Sequence, residues 1–166
     1  GQYEIIDLNN DKKHIYKKFD NSALADKLHN ALERFHKDSL TEDDLSLANQ
    51  TLKEYGSEEM REIARRNTSS VARAKLYPLL LPAFTILKKS EESKKIIAEM
   101  LDMLAHTKAP QVNALIYVTL YGCTDNYRYY EVAHELVDGW ADDVNPTKTK
   151  KQILRRLSDY DLWLGH

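Results

Sequence analysis

Apolar side chains recur at helical spacing along nearly the whole chain, and most runs open on a capping residue. Leu24, Leu28, Ala31, Leu32 and Phe35 fall at i, i+4, i+7, i+8 and i+11 behind Asn21 or Ser22, either of which can accept from the free N–H groups of a first turn. Thr41 and Asp44 have the spacing of a capping box, with Leu45, Leu47, Ala48, Leu52 and Tyr55 behind them and Gly56 as the stop. Ser57-Glu58-Glu59 opens a helix carrying Ile63 and Ala64, and Thr68-Ser69-Ser70 recaps at once ahead of Val71, Leu76, Leu79, Leu80 and Phe84. Ser90 opens the next, with Ile96, Ile97, Met100, Leu101 and Leu104 inward and Lys94 and Lys95 outward. Pro110 suits the first position of a helix with Val112, Leu115, Ile116, Val118 and Leu120 that ends at Gly122. Asn126 caps one with Tyr130, Ala133, Val137 and Trp140, and Pro146 opens the last, with Ile153, Leu154 and Leu157. Only 5 Gly and 4 Pro are present, too few to turn the many hairpins of an all-β fold. The pattern predicts an all-α protein of about eight short antiparallel helices.

The longest apolar passage, Leu76 to Leu87, contains Pro78 and Pro82. An interior proline removes a backbone hydrogen bond and clashes with the preceding turn, so a kink or break is predicted between Tyr77 and Ala83. Being apolar nearly all round, this passage is also predicted to be the most buried. It is too short and too interrupted to span a bilayer. At 166 residues the chain is long enough for one core, read as a single all-α domain over residues 21–166. Residues 1–20 read as an extended arm or a short lead-in helix, since Tyr3 to Leu8 alternate imperfectly and stop at Asn9-Asn10-Asp11. The start at Gly1 reads as a cleaved tag or an excised domain, and the polar first twenty residues show no signal peptide. Cys123, the single cysteine, can form no disulfide within the chain and no multi-cysteine zinc site, which fits a cytoplasmic protein. A net charge of −2 by itself implies neither a nucleic-acid nor a membrane partner.

Ser70-Val-Ala-Arg-Ala-Lys-Leu-Tyr77 and Gln111-Val-Asn-Ala-Leu-Ile-Tyr117 both place Val ahead of a Leu/Ile-Tyr pair, about 40 residues apart. With Pro110-x-Val112 at a helix start, this resembles the entry to a HEAT-type repeat over residues 68–158. The resemblance implies helix pairs stacked into a short α-α superhelix, the alternative being an irregular bundle with the same positions in its core. Arg128-Tyr-Tyr-Glu-Val-Ala-His134 resembles the Arg-x(4–6)-His motif of HEPN-family ribonucleases. That likeness implies His134 as acid/base and Arg128 as stabiliser of charge on a phosphorane.

Glu33-x-x-His36 and Glu131-x-x-His134 have the spacing of di-iron bundle ligands, with Glu99 where a bridging carboxylate would lie. A helix with a spare Glu is missing upstream of Glu33, and His29, Glu33 and His36 flank the apolar stripe toward solvent, so neither metal nor cofactor is expected. Basic residues cluster twice, as Arg61, Arg65, Arg66, Arg73 and Lys75 and as Lys148, Lys150, Lys151, Arg155 and Arg156. Such density can track phosphates, although Glu58, Glu59 and Glu62 beside the first cluster point to ordinary helix-surface pairing. The most unusual feature is aromatic: of 10 tyrosines, Tyr117, Tyr121, Tyr127, Tyr129 and Tyr130 crowd one stretch. One helix face cannot bury all of Tyr127, Tyr129 and Tyr130, and exposed tyrosine and arginine are the currency of recognition surfaces. The sequence therefore reads as a macromolecular binding module, an adaptor, scaffold or inhibitor-type protein that binds another protein through Tyr121, Tyr127, Arg128, Tyr129 and Tyr130. The alternative is a nucleic-acid-binding helical domain or a HEPN-like ribonuclease.

Overall fold

The computed structural model describes residues 20–67, 69–140 and 148–165, of which 82% are helical and none is in a strand. The arm expected over residues 1–20 lies outside them up to residue 19, as do Thr68 and Pro146. The helices are α1 (Ser22–His36), α2 (Glu42–Tyr55), α3 (Glu58–Asn67), α4 (Ser70–Ala74), α5 (Tyr77–Ile86), α6 (Ser90–His106), α7 (Pro110–Thr124), α8 (Tyr127–Asp138) and α9 (Lys148–Trp163).

The caps form as the sequence predicts. Asn21 Oδ1 accepts from the Leu24 N–H at 3.1 Å, Ser57 Oγ from Met60 at 3.0 Å and Asn126 Oδ1 from Arg128 at 3.1 Å. The Thr41–Asp44 box is reciprocal, with Asp44 N–H to Thr41 Oγ1 at 3.2 Å and Thr41 N–H to Asp44 Oδ2 at 3.0 Å. Asp44 does more than cap. Both of its oxygens accept from Arg34 of α1, at 2.7 and 2.8 Å, so the start of α2 is clamped to the end of α1. The Arg34 guanidinium, helped by the Thr41 bonds, holds the Asp44 carboxyl down to about 2, well below the usual carboxylate range. The clamp also sets the rotation of α2. Its buried residues are Asp44, Ala48, Thr51 and Tyr55, which leaves Leu45, expected inward, on the exposed side.

α5 is the hub and packs against α1, α2, α6 and α7. Every residue but Thr85 is buried, and the Thr85 hydroxyl donates to the Leu81 carbonyl at 2.7 Å. A helix apolar on all sides has nowhere to go but the centre of the bundle. The chain does break here, but earlier than predicted: α4 ends at Ala74 and α5 begins at Tyr77, so the interruption is Lys75-Leu76. Pro78 then stands in the first turn, where an N–H has no helical partner anyway. Pro82 lies inside an unbroken helix. Its missing bond, worth about 3 kcal/mol in a regular helix, is tolerated where packing on every side holds the segment.

Elsewhere the apolar stripes are narrower than the sequence suggests. Leu101 and Leu154 are exposed because α6 and α9 bury only one line of residues each, Ile96, Met100 and Met103 in one and Ile153, Arg156, Leu157 and Tyr160 in the other, and Val71 is exposed on the five-residue α4, which buries Ala72 and Ala74. α7 does not stop at Gly122 but runs on to Thr124 and closes with Asp125 in the left-handed region at φ 55°. Gly122 has a different role. The Tyr160 ring of α9 occupies the space that a Cβ at Gly122 would need, so this glycine permits the close approach of α9 to α7. α9 also reaches back to α1, through His29 and Asp159, so the last helix closes onto the first.

Leu80, fully buried in α5, is expected to cost about 2–5 kcal/mol when truncated to alanine, measured by urea unfolding. Gly122→Ala should destabilise by about 1–3 kcal/mol, because the Tyr160 ring must move to admit one methyl group. A thermal melt of Gly122→Ala indistinguishable from the wild type would show that α9 has slack against α7.

Candidate interaction surface

The tight turn at Asp125-Asn126 folds α8 back along α7, and this hairpin assembles the tyrosines. Tyr121 of α7 is completely buried and forms the floor. Tyr127 and Tyr130, nearly one turn apart on α8, stack on each other with ring centres 5.0 Å apart and planes 14° from parallel. Both lean on Tyr121, at 6.2 and 5.4 Å, and Tyr121 meets Tyr160 of α9 edge-on at 6.4 Å. The Tyr121 hydroxyl reaches toward Asp161 Oδ1 at 3.4 Å, and burial first, then nearby carboxylates, raise its pKa above the ordinary phenol value. Tyr129 belongs to another face, where it meets Tyr117 at 5.9 Å.

Of the expected contact residues, Tyr127 is 43% exposed, Arg128 is exposed, and Tyr129 and Tyr130 are half-buried. Tyr121 offers a partner nothing, because the α7–α9 contact has covered it. Arg128 and His134 stand six residues apart on one helix, about 9 Å along its axis and about 120° round it. The His134 ring lies against Tyr130, and its Nδ1 pairs with Asp138 of the following turn at 3.1 Å.

The basic residues do not form one stripe. Arg61 and Arg65 both pair with Glu99 of α6, at 3.1 and 2.8 Å, while Arg65 and Arg66 share Glu62. Arg73 lies against a small cavity beside Glu99 and Asp102. On α9, Lys151 is exposed, Lys150 Nζ donates to the Trp140 carbonyl at 2.9 Å, and Arg155 and Arg156 both turn to Asp26 of α1. Arg156 has left the surface, at 4% exposure.

His29 reverses its expected orientation. It is buried, with Nε2 2.8 Å from Asp159 Oδ2 and its ring 4.8 Å from both Tyr160 and Trp163. A carboxylate only accepts, so Nε2 carries the proton. His36 likewise turns inward enough to bond the Gly122 carbonyl at 2.7 Å. The signal for His29 was present, since it stands four residues after Ala25 and three before Leu32, both in the core. Arg156 likewise stands three residues after Ile153 and four before Tyr160, both buried. In both cases residue polarity masks a core register.

Among the described residues no His, Cys, Asp and Glu are grouped so as to hold a metal ion, and no helix is long and apolar enough to cross a membrane. Burial pushes the Cys123 thiol up to about 12, so it stays protonated and a poor nucleophile at neutral pH. Compared with protein-family models, curated proteins and solved structures, the chain matches none of them.

Burial, reinforced by Arg156 and Arg155 and opposed by Asp159, lowers the His29 pKa below its ordinary value. The unfolded chain therefore takes up this proton more readily than the folded one. Stability contributed by the neutral ring is present above about pH 6.5 and is lost as pH falls below it. His29→Gln should flatten the dependence of urea midpoint on pH between 7 and 5. An equal slope in both proteins would assign the acid sensitivity to other groups.

Proposed function

We propose that this chain is a protein-binding module, of adaptor, scaffold or inhibitor type, and that it engages its partner through the outer edge of α8. The observation that carries this reading is the exposed Tyr127, stacked on Tyr130 and backed by the buried Tyr121. A large amphipathic ring held in place before binding loses little entropy when a partner covers it. Arg128 beside it adds a charged group free to pair across an interface. Tyr, Trp and Arg dominate binding hot spots for these reasons. A protein partner is favoured over a nucleic acid because carboxylates stand among the basic residues at both clusters, with Glu62 and Glu99 at one and Asp26 at the other. The lone thiol of Cys123 fits a reducing compartment, and we place the protein in the cytoplasm.

Affinity capture with nuclease controls, followed by titration of the captured partner, tests the reading. Tyr127→Ala and Arg128→Ala are each expected to weaken binding by at least about 1 kcal/mol, with helicity and thermal melt unchanged. His134→Ala should leave affinity as it is. A partner that binds both α8 variants as tightly as the wild type would place the interface elsewhere, and loss of all capture after nuclease would point to nucleic acid.

A further inference from the structure

We propose that the segment of the partner that covers Tyr127 is basic, an arginine- or lysine-bearing stretch of polypeptide whose cationic side chains lie on the Tyr127–Tyr130 rings and pair with the carboxylates beside them. This rests on the reading of α8 as the interface and adds the chemistry of what binds there.

The charge of this part of the chain is one-sided. From Asp125 to Thr147 the sequence has Asp125, Glu131, Glu135, Asp138, Asp142 and Asp143 against a single lysine or arginine, Arg128. The chain as a whole is nearly neutral at −2, so this stretch is an acidic island. Asp142 and Asp143 lie outside the described residues, but α8 buries only Ala133 and Val137 and carries Arg128, Glu131, Glu135 and Asp138 on its exposed side. Helical spacing sorts these around Tyr127. Glu131 follows by four residues, one turn along and about 40° round the axis, so it stands beside the ring, whereas Arg128 is turned about 100° away. His134 takes Asp138 at 3.1 Å. A second helix adds to the charge: Asp161 of α9 accepts from the Tyr121 hydroxyl at 3.4 Å. Burial, then Asp161 and Tyr127, raise the Tyr130 pKa above the ordinary phenol value, as a carboxylate beside a phenol does.

The rings favour a cation for a separate reason. The face of a phenol ring is the negative pole of its quadrupole. Tyr127 keeps 43% of its surface exposed although Tyr130 stacks on it at 5.0 Å. A guanidinium or ammonium over such a ring is attracted to it, and a neighbouring carboxylate holds the same cation by charge-assisted hydrogen bonds. A neutral apolar segment would satisfy the rings alone and would leave Glu131 and Asp161 desolvated without a counter-charge. The same carboxylates repel an acidic segment and a phosphate backbone. Aromatic faces and negative charge at one place thus select a basic polypeptide.

Titration of the full chain with an alternating glycine–arginine peptide and its glycine–lysine and glycine–glutamate counterparts, followed by amide NMR shifts, tests the inference. Saturable binding of the basic peptides is expected, with shifts centred on Tyr127 and Glu131 and an affinity that falls as salt rises. Tyr127→Leu, which keeps an apolar side chain without the ring, and Glu131→Gln/Asp161→Asn are each expected to weaken it at least about threefold. Should Asp161→Asn loosen α9, Glu131→Gln alone still decides. Tighter binding of the arginine peptide would identify a stacked guanidinium as the contact, and equal affinities the positive charge shared with lysine. No saturable shift at millimolar basic peptide, equal binding of the glutamate peptide, or unchanged affinity in the folded variants overturns the inference. The two readings fail differently. A captured partner weakened by Tyr127→Ala but indifferent to Glu131→Gln and to salt overturns the basic segment and leaves α8 as the interface, whereas one indifferent to Tyr127→Ala overturns both.

Discussion

The burial of α5 on every side is the constraint from which the rest of the architecture follows. A ten-residue helix with Leu79, Leu80, Leu81, Phe84 and Ile86 buried around its circumference must be surrounded, and α1, α2, α6 and α7 are the surrounding. Each buried leucine or phenylalanine contributes about 1.5–3 kcal/mol by leaving water. That sum outweighs a missing hydrogen bond at Pro82. Once α5 is central, α2 and α6 need only one buried line each against it, which is why Leu45 and Leu101 are left on the outside.

Polar side chains then fix how the outer helices sit on this hub. Asp44 joins α2 to Arg34, Asp159 joins α9 to His29, and Asp26 gathers Arg155 and Arg156. All three run to α1, which makes α1 the reference against which α2 and α9 are aligned. Such pairs add little net stability, because bringing charge out of water costs about what the pairing returns. Their effect is on geometry, since a helix rotated by one residue would leave a carboxylate or a guanidinium buried alone.

The same closure of α9 builds the tyrosine cluster. Gly122 lets the Tyr160 ring lie against α7, Tyr160 meets Tyr121, and Tyr121 supports the stacked Tyr127 and Tyr130. The exposed rings are therefore backed by rings from two other helices. α9 also lines a cavity beside α1, from Lys148 in its first turn to Arg156 in its middle. The middle of the helix is anchored by the buried Ile153 and Leu157.

The sequence alone determined the helical class, the caps at Asn21, Thr41, Ser57, Ser69 and Asn126, the burial of the Leu76–Leu87 passage, and the exposure of at least one of the α8 tyrosines. These follow from interactions within a turn or two of chain, or from hydrophobicity that no packing arrangement can leave in water. It did not determine which way His29 and Arg156 face, that Tyr121 is floor and not surface, or that Gly122 is a contact and not a stop. Each of those depends on α9 meeting α1 and α7 across more than a hundred residues or some forty residues of chain. A polar residue in a core register is buried only when a partner from elsewhere arrives to pair with it, and that partner's arrival is a property of the tertiary structure.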